Sequence, residues 1–156
     1  MSHEKFMQRA LDIALERMRA NMGGPFGAVI VRDGEIVAEG WNEVTSTNDP
    51  TAHAEVVAIR RACAKLATFN LSNCDIYASC EPCPMCLSAL YWSRCAVIFY
   101  GNNAADAAKV GFDDSFLYDE VKKPLEERTI PIVRLLPEEA WASFAAWEKS
   151  PFKVDY

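Results

Sequence analysis

Asp75-Ile76-Tyr77-Ala78-Ser79-Cys80-Glu81-Pro82-Cys83-Pro84-Met85-Cys86, with Cys95-Ala96-Val97-Ile98-Phe99-Tyr100 downstream, is the stretch that decides the fold class. Its first five residues read as a short strand. Pro82 and Pro84 stiffen the turn that follows. Pro84 stands near the first position of a helix, where its missing N–H costs little. That helix is expected to run from Pro84 to about Ser93. Cys95 to Tyr100 is almost entirely apolar, the pattern of a central strand covered on both faces.

Upstream, Phe6, Ala10, Ile13 and Ala14 make one apolar stripe, widened by Leu11, Leu15 and Met18. They predict a helix from a Ser2 cap to about Asn21, stopped by Gly23-Gly24-Pro25. Gly27 to Asp33 and Glu35 to Trp41 then alternate through Asp33-Gly34, a strong hairpin signal. Asn42 to Pro50 reads as a loop. A second helix is expected from about Thr51, with Val56, Val57, Ile59 and Cys63 inward and Arg60, Arg61 and Lys65 on a solvated face.

Downstream, Ala104 to Val110 reads as a short helix and Gly111 to Lys123 as irregular. Thr129 to Leu136 reads as a strand, which Pro131 confines to an edge. Glu138 to Lys149 is the last helix, and Pro151 to Tyr156 an extended tail. The expected architecture is α/β: one domain over residues 1–156, three layers α/β/α, around a mixed five-stranded sheet that opens with an antiparallel hairpin.

Composition narrows the function. A chain of 156 residues, 51% hydrophobic and 24% charged, suits one soluble domain with a full core. No apolar run is long enough to span a membrane, and the first residues open directly into an amphipathic stretch, so a cytoplasmic protein is expected. A net charge of −6 disfavours nucleic acid as a partner, because such affinity comes largely from Lys and Arg neutralising phosphates. In that compartment the 6 cysteines read as ligands and core residues rather than disulfides. Cys63, Cys74 and Cys95 have apolar neighbours; Cys80, in an every-third-residue row with Cys83 and Cys86, is ambiguous.

Cys83 and Cys86, three apart at the start of a helix, point the same way. Their sulfurs also face unpaired N–H groups and the positive end of the helix dipole, which favours thiolates. His53 arrives at the start of the preceding helix, with Glu55 on the wall beside it. A neutral imidazole and two thiolates can hold one zinc per chain with a fourth position open, and the adjacent carboxylate can carry protons for a bound water. The alternative is a closed zinc site with Cys80 or His3 as fourth ligand, which would make a non-catalytic zinc-folded binding module.

H-x-E at His53-Ala54-Glu55 with P-C-x-x-C at Pro82–Cys86 resembles the cytidine-deaminase-like zinc deaminases. Within that superfamily the chain is similar to the small bacterial guanine deaminases along its full length. The matching blocks are Gly24 to Val31, Asn48 to Glu55, Ser79 to Cys86, Gly111 to Phe116, Glu127 to Pro131 and the terminal Tyr156. The resemblance implies that His53, Cys83 and Cys86 bind zinc and that Glu55 shuttles protons. It implies a purine pocket using Phe26, Asn42, Ala54, Trp92 and Asp114, closed by Tyr156 in a tail over 151–156. It further implies a homodimer that exchanges C-terminal segments, and hydrolysis of guanine to xanthine and ammonia. Sibling substrates remain open: guanosine, ammeline, cytosine and, disfavoured by charge, tRNA adenosine. Asp114 and Asn42 are of the types that guanine's adjacent donors require in a partner set, a carboxylate and an amide.

Overall fold

The structure is a computed structural model that describes residues 2–156. It divides into two compact units, one ending at Asp114 and the other spanning Ser115–Tyr156. In the first unit, α1 (His3–Arg19) leads to β1 (Gly27–Arg32) and β2 (Glu35–Trp41), followed by the short α2 (Val44–Thr47) and α3 (Ala54–Leu66). Then come β3 (Asp75–Cys80), α4 (Pro84–Trp92), β4 (Val97–Asn102) and α5 (Ala104–Lys109). The hairpin turns where expected: Asp33 and Gly34 both take positive φ, 52° and 77°, the backbone that a two-residue hairpin loop demands.

The sheet order is β2-β1-β3-β4. β1 is antiparallel to both β2 and β3, and β3 is parallel to β4, so the sheet is mixed. Alternation along β1 builds the layers. Val29 and Val31 pack with Phe6, Ala10 and Ile13 of α1 and with Tyr77. Ala28 and Ile30 face the other way, onto Ala54, Ala58 and Ala62 of α3, with Ile76 and Leu90. Ile13, Ile30, Ile76 and Leu90 are essentially fully buried, each stabilising by about 1.5–3 kcal/mol. Alanines line α3 because it lies close on the sheet: a Cβ at Gly40 would stand 2.2 Å from the Ala54 carbonyl oxygen.

The second unit holds α6 (Ser115–Lys122), a 3-10 turn at Leu125–Glu127 and α7 (Pro137–Lys149). None of these elements carries a buried residue.

Four expectations are corrected. The sheet has four strands among the described residues, not five: Thr129 to Leu136 joins no strand ladder. Pro131 lacks a ladder donor, and the unit around it contains no strand to pair with. Consequently β4 is an edge strand rather than a central one, with Val97 45% and Tyr100 51% exposed. Helices α2 and α6 occupy segments expected to be irregular. Arg61 is not on a merely solvated face either. It bonds Glu43 at 2.6 Å and the Glu39 carbonyl at 3.0 Å, and lies over the Trp41 ring at 4.0 Å, tying α3 to β2.

Candidate active site

Two helix starts build the centre. Asp49 accepts from the Thr51 N–H at 2.8 Å and the Glu43 N–H reaches the Ala52 carbonyl at 2.9 Å. These turns deliver His53 to the N-cap of α3 in extended backbone, φ −70°, ψ 155°. Cys83 takes the N-cap of α4 with φ −63°, ψ 168°, and Pro84 starts the helix. His53 Nδ1 lies 3.6 Å from Cys83 Sγ and 3.5 Å from Cys86 Sγ. All three donor atoms fall within 4.8 Å of one another.

That spacing fits zinc. Zn–S near 2.3 Å and Zn–N near 2.05 Å at a tetrahedral angle hold N and S about 3.6 Å apart. Two sulfurs and an imidazole nitrogen are also the donor types that zinc prefers over harder cations. Neither proposed fourth ligand joins the group among the described residues. His3 Nδ1 is engaged with the Tyr77 hydroxyl at 2.6 Å. The Cys80 thiol faces the Asn103 carbonyl at 3.9 Å, and burial, with Glu55 nearby, pushes it up to about 11.

Glu55, at the second position of α3, is buried with 8% of its surface exposed. Burial raises its carboxyl above the ordinary carboxylate range; its own backbone N–H opposes this, Cys83 adds to it, and the Cys86 thiol and His53 oppose it. Cys83 is held well below the usual thiol range, first by the Cys86 thiol and then by the His53 ring. Cys86 is pushed the other way, first by its hydrogen bond with Cys83 and then by burial. His53 is raised by its bond to Cys83.

Of the base-side residues expected in the first unit, Ala54 separates His53 from Glu55, and Asp114 is near enough to Cys83 to feel its charge. Asn42 is buried, and its Oδ1 accepts from the Gly24 and Val44 N–H groups, both at 3.2 Å. The amide therefore offers its NH2, a point that residue type alone left open. Phe26 packs against the core and takes the edge of Phe112, ring centres 4.9 Å apart and planes at 84°. Ala54 is buried at the start of α3. Asp114 is half-buried, its carboxyl raised by burial and then by Cys83. Two further expected residues are exposed. Trp92 closes α4 at the end away from the cysteines and is 67% exposed. Tyr156 belongs to the second unit and is 69% exposed.

Sequence reading missed three neighbours. Phe112 sits inside a block singled out above, but its contact with Phe26 leaves no periodic signal. Ser79 Oγ, buried, accepts from the Gly27 N–H at 3.0 Å and fixes the start of β1. Glu81, beside the C-x-x-C motif, accepts from the Ala104 N–H at 2.9 Å.

Residues 1–102 match the cytidine and deoxycytidylate deaminase zinc-binding region. The chain belongs to that family of zinc-dependent deaminases. Within it, the chain is 54% identical to the guanine deaminase of Bacillus subtilis (strain 168) over 156 residues, covering 100% of both chains. The X-ray structure of guanine deaminase from Bacillus subtilis superposes with a TM-score of 0.97, over 100% of this chain and 99% of that one. A tRNA-specific adenosine deaminase of Aquifex aeolicus is 43% identical over 102 residues, 64% of this chain and 66% of its own.

Proposed function

We propose that this protein is a zinc-dependent guanine deaminase, converting guanine and water to xanthine and ammonia. What carries the reading is 54% identity along the whole chain to a guanine deaminase, joined to a three-donor centre with a buried carboxyl beside it. His53, Cys83 and Cys86 hold the zinc, which when bound lowers the pKa of a coordinated water toward neutrality. Glu55 takes a proton from the attacking water and delivers it to ring N3 as C2 is attacked. It then carries a proton to the amino group, which leaves as ammonia. Burial that raises the Glu55 carboxyl above the ordinary carboxylate range favours its taking up the proton.

Phe26, with Phe112 at its edge, gives the purine a flat apolar wall. Asp114 accepts from the N1–H and amino donors of guanine, while the Asn42 NH2 donates to a ring nitrogen or the carbonyl oxygen. A net charge of −6 favours a small base over a polyanion, and a thiol-based centre suits the reducing cytoplasm. Glu55→Gln is expected to keep zinc and lose turnover by at least about a hundredfold. Near wild-type turnover would remove Glu55 from the mechanism.

We infer further that two copies exchange residues 115–156 and that Trp92 and Tyr156 complete the pocket only in the pair, making 1–156 one functional deaminase domain. The second unit buries none of its own residues, with Ile130 77%, Leu135 75% and Phe152 88% exposed, too little burial to hold by itself. β4 offers an unpaired edge, and Thr129 to Leu136 is strand-like sequence without a partner. Glu55→Gln and a chain truncated before Pro151 are each expected to be inactive. Co-refolded, half the pairs are mixed with one good site each, restoring about a quarter of wild-type activity. A mixture as inactive as its components would contradict exchange.

A further inference from the structure

We propose that Glu81 is a positioning residue that couples the zinc-binding turn to the arm carrying Phe112 and Asp114, and so sets the affinity for the base. This rests on the guanine deaminase reading of the same site. Glu81 lies between the end of β3 and the metal-ligand turn, two residues before Cys83. Its backbone N–H bonds the Asn102 carbonyl at 2.8 Å. Its carboxylate Oε2 accepts the Ala104 N–H at 2.9 Å. One residue thus joins the ligand turn to the end of β4 through its main chain and to the start of α5 through its side chain.

α5 transmits that anchor because it is capped at both ends. At its start, Asn103 and Asp106 form a reciprocal capping box: Asn103 Oδ1 accepts the Asp106 N–H at 2.9 Å, and Asp106 Oδ2 accepts the Asn103 N–H at 3.1 Å. That box leaves the Ala104 N–H unsatisfied within the helix, and Glu81 is what satisfies it. At the other end, the Gly111 N–H bonds the Ala108 carbonyl at 3.1 Å and the Phe112 N–H bonds the Ala107 carbonyl at 3.0 Å. This is the Schellman pattern, with Gly111 at φ 95°. The Schellman turn delivers Phe112 to the Phe26 ring and brings Asp114 into the electrostatic surroundings of Cys83 and Glu81. The helix is short and stiff, so a shift at Ala104 is carried to Phe112 and Asp114.

The zinc ligands do not depend on this link, whereas the base contacts do. Glu81→Ala is expected to keep one zinc per chain and to raise KM for guanine roughly ten- to hundredfold, the range of one charge-assisted hydrogen bond. kcat should change far less. Amide hydrogen exchange at Ala104 in the zinc-loaded full chain should quicken by about tenfold or more. Glu81→Gln, which keeps an acceptor oxygen, should restore both readouts to near wild type. The proposal is overturned if Glu81→Ala leaves KM and Ala104 exchange unchanged, if it loses zinc in step with activity, or if Glu81→Gln is as impaired as Glu81→Ala. If wild-type enzyme releases no ammonia from guanine, the substrate reading fails; the exchange and zinc measurements then decide the anchoring role by themselves.

Discussion

Replacing Gly40 by alanine probes how the sheet positions the chemistry. Gly40 lies in β2 opposite Ala28, beneath the first turns of α3. An added Cβ would meet the Ala54 carbonyl oxygen at 2.2 Å, the Ala58 nitrogen at 2.6 Å and the Ala58 Cβ at 2.9 Å, where ordinary contact begins near 3.4 Å. Two of these are backbone atoms, so no flexible side chain can yield. Relief requires α3 to retreat from the sheet by about 1 Å. Overpacking of this kind costs about 1–3 kcal/mol, and backbone contacts put it at the upper end. For a chain of this length that lowers Tm by roughly 6–12 °C. The same retreat moves His53 and Glu55 relative to Cys83 and Cys86. A misplacement of about 1 Å is worth roughly a hundredfold in rate. Calorimetry, zinc titration and steady-state kinetics on Gly40→Ala should therefore show a lower Tm, weaker zinc binding and kcat/KM down about a hundredfold. Gly34→Ala is the control: no atom lies within 4 Å, but φ is 77°. It should cost about 1 kcal/mol through backbone strain and leave kcat/KM unchanged. A Gly40→Ala enzyme with wild-type Tm and kcat/KM would refute the close-approach argument. So would a Gly34→Ala enzyme equally impaired in turnover.

Cys80→Ala should keep one zinc per chain, since its thiol stands outside the three-donor group; metal analysis showing a stripped site would restore the closed-site reading. The forked Arg9–Glu39 pair, at 2.7 and 2.9 Å, holds the Glu39 carboxyl below its ordinary range, chiefly through the hydrogen bond from Arg9. Its stabilisation is therefore complete above the unfolded carboxylate pKa of about 4.3 and is lost as pH falls through the lower folded value. Both side chains are about one-third exposed, so the pair is worth at most about 1 kcal/mol. Glu39→Gln should lie about 2–4 °C below wild type in Tm at pH 7, the gap closing toward pH 3; a gap that widens on acidification contradicts this sign.

The parts of the fold written in local pattern were legible. The Asp33-Gly34 hairpin, the apolar stripe of α1 and the Pro84 helix start lie where their residues put them, because each is fixed by a few neighbours in sequence. The metal donors were legible for the same reason, since spacing at helix starts decides their direction. The fate of Cys95 to Tyr100 was not. An apolar run signals burial on both faces but says nothing of which chain does the burying, and within this chain β4 is an edge. Thr129 to Leu136 failed as a strand because pairing needs a partner that its own unit lacks. Asn42 shows a finer limit: its residue type was readable, but which end of the amide is free depends on the Gly24 and Val44 N–H groups. Glu81 carries no periodicity at all, and its bond to Ala104 joins segments that only the β3–β4 pairing brings together.

Ammonia release by the zinc-loaded protein, measured side by side on guanine, guanosine, ammeline, cytosine and tRNA, tests the central claim most directly. Rapid release from guanine with one xanthine formed per ammonia, and little or none from the others, is the expected result. Release from tRNA or cytosine in preference to guanine, or from no substrate at all, would contradict it.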